Sequence, residues 1–266
     1  MNIFVREMKA HRKSLITWCI GVFLMTASGM SKYAVYSTNG QSMNNLVAQM
    51  PKSMQAMLGL SSFDLSKAIG YYGVLFLYLV LMTTIHASML GANIISKEER
   101  DKTSEFLFVK PVSRNKVITS KLLAALVNVS LINIITLISS LVMVGRYSKG
   151  EDVTGEITIL MGGMYILQLM FMLIGTGIAA ISNKPKNAAA VATGILLATF
   201  VLNIAIDLNE NLDSLKYLTP FKYFDAKWTL LSSGGFDPVF LILSLVIIAI
   251  LFGATYVFYK KRDLNV

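Results

Sequence analysis

The chain reads as an all-α integral membrane protein with six transmembrane helices. Three observations carry this reading. Of 266 residues, 55% are hydrophobic and only 15% are charged, where a soluble domain carries about 25% charge. Mean hydropathy is +0.61. The charges are clustered, which leaves seven charge-free runs at 14–31, 33–51, 68–96, 122–145, 157–183, 187–206 and 238–259. Each is at least as long as the roughly 18 residues that a helix needs to cross hydrocarbon.

Six of these runs are rich in Leu, Ile, Val, Met, Phe and Ala. The run 33–51 is instead full of Asn, Gln and Ser, whose amides are unfavourable in lipid, and reads as a loop. Spans are thus predicted near 14–33, 69–95, 119–144, 157–182, 188–206 and 238–259, forming one membrane domain over 1–266. Helices suit lipid because it offers no partner for an open peptide group. The alternation of a membrane β-barrel is absent.

Each element has its own sequence signal. In 1–13 (MNIFVREMKAHRK), Phe4, Met8, His11 and Leu15 share one helical side, and Arg6, Lys9 and Lys13 another. This predicts an interfacial helix lying on the inner leaflet; a plain basic flank is the simpler alternative. The long segment 32–67 holds two weakly helical stretches broken by Pro51 and Gly59. Residues 96–118 form a charged insert between spans two and three. Spans four and five are joined by the tight turn Asn183-Lys184-Pro185-Lys186-Asn187. Segment 207–237 is aromatic-rich, as membrane-interface segments are. The last span ends in a basic stop, Tyr259-Lys260-Lys261-Arg262.

Lysine and arginine set the orientation. With the N-terminus inside, 16 of the 24 basic residues fall on the cytoplasmic side and 9 of the 15 acidic residues fall outside. Both termini are therefore expected in the cytoplasm, in a bacterial cell membrane. The inside excess accounts for the net charge of +9. No basic stretch is interleaved with aromatics as a nucleic-acid surface would be, so no nucleic-acid partner is expected. The single cysteine, Cys19, allows no disulfide within the chain and no CxxC metal pair.

No phosphate-cradling GxxxxGK[ST] occurs, and no HExxH or GxSxG. Two histidines cannot build a multi-His metal site. The chain is therefore read as a non-enzyme with no cofactor and no metal. The charge-free runs hold one titratable imidazole, His86, near Thr83, Thr84 and Ser88. It is a candidate substrate-path residue, weighed against a neutral His bonded to a neighbouring helix.

The insert carries the most specific pattern. Helix two is expected to continue into Lys97-Glu98-Glu99-Arg100-Asp101. Thr103 can cap a short helix, with Glu105 in its first turn, where an acid is favoured. Phe106, Leu107 and Val109 give that helix an apolar side, and Pro111 stops it. Ser113 can cap the next helix. An exposed apolar strip of this kind is a liability in water; it rests on the membrane or enters a groove on another protein.

At these residues the chain resembles the permease subunits of ABC exporters of the second type. The matching residues are Glu98 and Glu99, then Thr103-Ser104-Glu105-Phe106-Leu107, then Pro111-Val112-Ser113-Arg114, and Lys121. Lys102 stands where the family often has Gly. Thr219-Pro220-Phe221-Lys222-Tyr223-Phe224-Asp225 is similar to the family's outer Pro-Phe-x-Tyr-Phe segment, and Arg262-Asp263-Leu264 to its C-terminal ending. The resemblance covers essentially the whole chain. It implies that two permeases, identical or homologous, form a translocation path. It also implies that a cytosolic ABC ATPase with ATP and Mg drives each one, through a coupling helix in 96–118. The ATPase-coupling residues would be Glu98, Glu99, Thr103, Glu105, Phe106, Leu107, Pro111, Ser113 and Arg114. The expected cargo is a drug, an antimicrobial peptide or another amphiphile. The alternative is a non-transporting membrane sensor or immunity module.

Overall fold

A computed structural model describes residues 3–38, 43–60, 63–101, 113–182, 184–231 and 235–261. Six long helices dominate it: α1 (Ile3–Thr38), α2 (Ala68–Arg100), α3 (Arg114–Tyr147), α4 (Thr154–Ile181), α5 (Ala188–Leu208) and α6 (Pro238–Lys261). All six are long and apolar enough to cross a membrane. No strand occurs among the described residues.

Burial ranks the helices. In their most apolar windows α2 and α4 are 56% and 61% buried, whereas α1, α5 and α6 are 17%, 22% and 11% buried. Helices α2 and α4 therefore form the centre, and the other three present apolar faces outward. Ile20 and Leu24 on α1, Val201 on α5, and Ile242 and Ile250 on α6 are exposed. Lipid solvates such faces as well as protein does, so apolar burial alone does not hold the helices together.

Close packing and polar bonds do. A Cβ on Gly91 of α2 would lie 2.1 Å from the carbonyl oxygen of Met172, and one on Gly175 of α4 would lie 2.3 Å from that of Ser88. The two glycines let the central helices touch backbone to backbone. Tyr72 donates to Ser140 Oγ at 2.7 Å between α2 and α3. Ser130 and Tyr165 bond at 2.8 Å between α3 and α4, and Thr176 and Thr255 at 3.1 Å between α4 and α6.

The short helices expected in 32–67 are present as Met43–Ala48 and Lys52–Met57. Gly59 follows the second with φ +70, a left-handed turn that suits glycine. The continuation of helix two through Arg100 is also observed.

The N-terminal residues and part of segment 207–237 pack against the bundle. No boundary divides an interfacial helix from span one, because α1 runs unbroken from Ile3 to Thr38. The junction at Arg12-Lys13-Ser14 holds no Gly or Pro, so nothing interrupts the backbone hydrogen bonds there. The expected apolar side faces protein: Phe4 and Met8 pack on the core, and Asn128 Nδ2 of α3 lies 3.2 Å from Met8 Sδ. In the aromatic-rich segment 207–237, three aromatics pack inward. Pro220 opens a 3₁₀ turn, Pro220–Phe224, that carries Phe221, Tyr223 and Phe224 into the bundle, each at most 4% exposed. Tyr223 stacks on Phe240 with ring centroids 4.9 Å apart.

Gly91→Ala is expected to lower stability by about 1–3 kcal/mol through overpacking of the central crossing. Reversible unfolding of the purified chain in mixed micelles measures it. Wild-type stability would show that α2 and α4 separate at no penalty.

Candidate functional site

The ends of α1, α2 and α3 meet at one end of the bundle around a compact set of charges. Lys121, in the second turn of α3, is fully buried, and Glu98 near the end of α2 is 8% exposed. Lys121 Nζ donates to Glu98 Oε2 at 2.6 Å and also to the carbonyl oxygen of Ile94. Arg6 of α1 donates through Nη2 to Glu98 Oε1 at 2.8 Å and to Glu7 Oε1 at 2.8 Å. Both carboxylate oxygens of Glu98 are thus held, each by a different helix. Two cations and two carboxylates share the cluster, and its near neutrality makes burial tolerable.

Local sequence explains the positions. Helix α2 carries Glu98 beyond its apolar run because nothing in Lys97–Arg100 breaks a helix. The Asp101 N–H still donates to the Lys97 carbonyl at 2.9 Å. Ser113 caps α3, its Oγ accepting from the Lys116 N–H at 3.3 Å. Arg114 Nη1 then donates to the Lys260 carbonyl in the last turn of α6 at 2.8 Å, where cations are favoured by the helix dipole. Thr119 and Tyr256 bond at 2.7 Å, a second tie between α3 and α6.

The structure therefore brings Glu98, Ser113 and Arg114 to one end of the bundle. It gives Glu98 a buried pairing role rather than a solvated face. Glu99 is half-buried beside it. Thr103, Glu105, Phe106, Leu107 and Pro111 lie outside the described residues, as does the ending at 262–264. His86 is 4% exposed and meets the Trp18 ring of α1 edge-on, with centroids 5.2 Å apart. That is the packing of a helix contact within one subunit. Arg6 and Lys121 are the residues that sequence reasoning missed as parts of one unit. The available signal was that Glu98 and Lys121 flank the insert at the edges of two apolar runs.

A protein-family model described as ABC-2 family transporter protein matches residues 1–264. The chain belongs to that family. No individual curated protein matches it. As an ABC-2 permease, the chain is a multi-pass membrane component of an ABC transporter rather than its catalytic domain, and membership implies association with an ABC ATPase. The charge cluster of this permease thus joins the two helices that flank the segment matched to the exporter pattern.

Lys121→Met is expected to destabilise the permease by about 3–5 kcal/mol, because it takes from the buried Glu98 the cation bonded to its Oε2. Adding Glu98→Gln is expected to restore most of that loss. A double-mutant cycle on unfolding in mixed micelles reads the coupling, and additive single effects would show that the pair is not a unit.

Proposed function

We propose that this ABC-2 permease is the membrane-spanning half of an ATP-driven exporter in a bacterial cell membrane. Both termini and segment 96–118 face the cytoplasm. A second permease, identical or homologous, completes the translocation path. A cytosolic ATPase binding ATP and Mg docks at the segment on each permease, and the cargo is a drug, an antimicrobial peptide or another amphiphile.

One observation supports the coupling reading above the others. The two roots of the segment, α2 at Glu98 and α3 at Lys121, are bonded to each other and to α1 through Arg6. A push on the segment therefore moves three spans together instead of fraying one helix end. The Arg114 bond to the end of α6 adds a fourth. Such a linked base suits rigid-body switching, in which small displacements at one site become rotations of packed elements.

The tagged permease, captured from its native membrane, is expected to bring down an ABC ATPase in stoichiometric amount. Phe106→Asp or Glu105→Lys is expected to reduce that capture about tenfold or more, as loss of an interface hot spot does. Capture and transport both unchanged in these variants would remove the segment from the docking surface. Absence of any ATPase from the wild-type capture would overturn the transporter reading itself.

A further inference from the structure

The outward side of α1 carries an ordered set of groups that the charge cluster does not use. Lys9, Arg12 and Lys13 are exposed. At spacings of three and four residues from Lys9, Arg12 and Lys13 are its neighbours on the helix surface. None of the three side chains enters an ion pair or hydrogen bond among the described residues. The nearest acid in the sequence, Glu7, is fully buried and lies on the opposite side of the helix, where Arg6 holds it. The three cations are therefore a patch of uncompensated positive charge.

The same side continues as apolar surface. Ile16, Ile20, Phe23 and Leu24 are each about half exposed. With about 3.6 residues per turn, these four and the three cations fall within an arc of about 120°. Lys13 and Ile16 are separated by about 4.5 Å along the axis, and Ile16 to Leu24 adds about 12 Å. One leaflet supplies about 15 Å of hydrocarbon. The apolar stripe thus has the reach of an acyl chain descending from a headgroup at the cations. Because α1 is unbroken from Ile3 to Thr38, the two parts are held in register.

An occupant must match both parts. A soluble anion or an acidic protein surface satisfies the cations and leaves the stripe bare. A zwitterionic lipid covers the stripe but offsets its phosphate with its own amine. An anionic phospholipid does both. The pattern is not repeated at the end of α6. Lys260 and Lys261 are exposed there, but adjacent residues on a helix do not face each other.

We infer that the outward side of α1 is a binding site for an anionic phospholipid. The phosphate sits among Lys9, Arg12 and Lys13, and an acyl chain lies along Ile16, Ile20, Phe23 and Leu24. A lipid seated there also fixes the depth of the helix that brings Arg6 to Glu98. The site does not rest on the export reading.

Native mass spectrometry of the full-length chain tests this, with phosphatidylglycerol and phosphatidylcholine of the same acyl chains added separately to the detergent-purified protein. The first phosphatidylglycerol is expected to bind about tenfold or more tightly than the first phosphatidylcholine. Arg12→Gln and Lys13→Gln are each expected to weaken phosphatidylglycerol about fivefold and to leave phosphatidylcholine unchanged. Glutamine is as good a helix former as the residues it replaces, so neither exchange disturbs α1. Lys52→Gln, at an exposed cation in segment 32–67, is expected to alter neither affinity. Glycerol 1-phosphate, the headgroup without its chains, is expected not to displace the lipid at equal concentration. Displacement would make the patch a soluble-phosphate site and overturn the lipid assignment. Equal affinity for the two lipids, or wild-type affinity for phosphatidylglycerol in both α1 variants, overturns the site. Either result leaves the export reading to the ATPase capture that tests it.

Discussion

Glu98 and Lys121 face each other across one end of the bundle, and Lys121 is buried there against the Glu98 carboxylate. Moving an isolated carboxylate or ammonium out of water is unfavourable by several kcal/mol, and only close, fully hydrogen-bonded pairing offsets it. Glu98 meets both conditions, with each oxygen within 2.8 Å of a separate cation, and the fully buried Lys121 donates to Glu98 and to the Ile94 carbonyl. Arg6 closes the set and ties in Glu7. Three helices are consequently committed to one relative position. Apolar packing could not impose this in lipid, where leaving a neighbouring helix for acyl chains changes little.

That commitment orders the remaining packing. With α1, α2 and α3 joined at the base, α4 is drawn against α2 by the Gly91 and Gly175 contacts, and α6 is pinned to α3 through Arg114 and Tyr256. Helix α5 enters from the 3₁₀ turn Pro185–Asn187 and is held near its middle, where Thr219 Oγ1 donates to the Thr199 carbonyl at 2.8 Å. Each outer helix thus has a polar fastening, and the apolar faces between the fastenings are left to the membrane.

The six spans were legible in the sequence because lipid imposes a rule that composition alone reveals: charges stay out for the length of a crossing. The cluster was not legible, because its partners are far apart in the chain. Glu98 and Lys121 are separated by 23 positions and Glu98 and Arg6 by 92. Each carries the ordinary signature of a charge flanking a span, and orientation rules explain all three without any pairing. The continuity of the N-terminal helix with span one was not legible for a related reason. A side built of Phe4, Met8, His11 and Leu15 has the same periodicity whether it lies on lipid or on neighbouring helices. Only the absence of a breaker between Lys9 and Ser14 favoured continuity with α1. In 207–237 the aromatic content suited a membrane interface, and composition did not reveal that Pro220 and the 3₁₀ turn it starts direct Phe221, Tyr223 and Phe224 into the bundle.

The two ends of the permease differ in how their charged groups are engaged. At the base, both oxygens of Glu98 and the ammonium of Lys121 are engaged, so the local arrangement is determined and transmits displacement as a unit. At the other end, Asn203 beside an aromatic slot keeps an unengaged acceptor, and one lysine serves two carboxylates. A doubly held carboxylate such as Glu98 resists displacement, whereas an unengaged acceptor gains by taking a partner, and the base has one of these too in Glu7 Oε2. Helix α2 belongs to both, since it carries Glu98 at its base and Phe76 in the wall of the slot. Between them it makes its backbone contact with α4 at Gly91. Any change in the position of α2 at the base therefore has a rigid route to the slot, and the same route runs in reverse. On the coupling reading, this continuous helix links the energy-receiving end of the permease to the opposite end of the bundle.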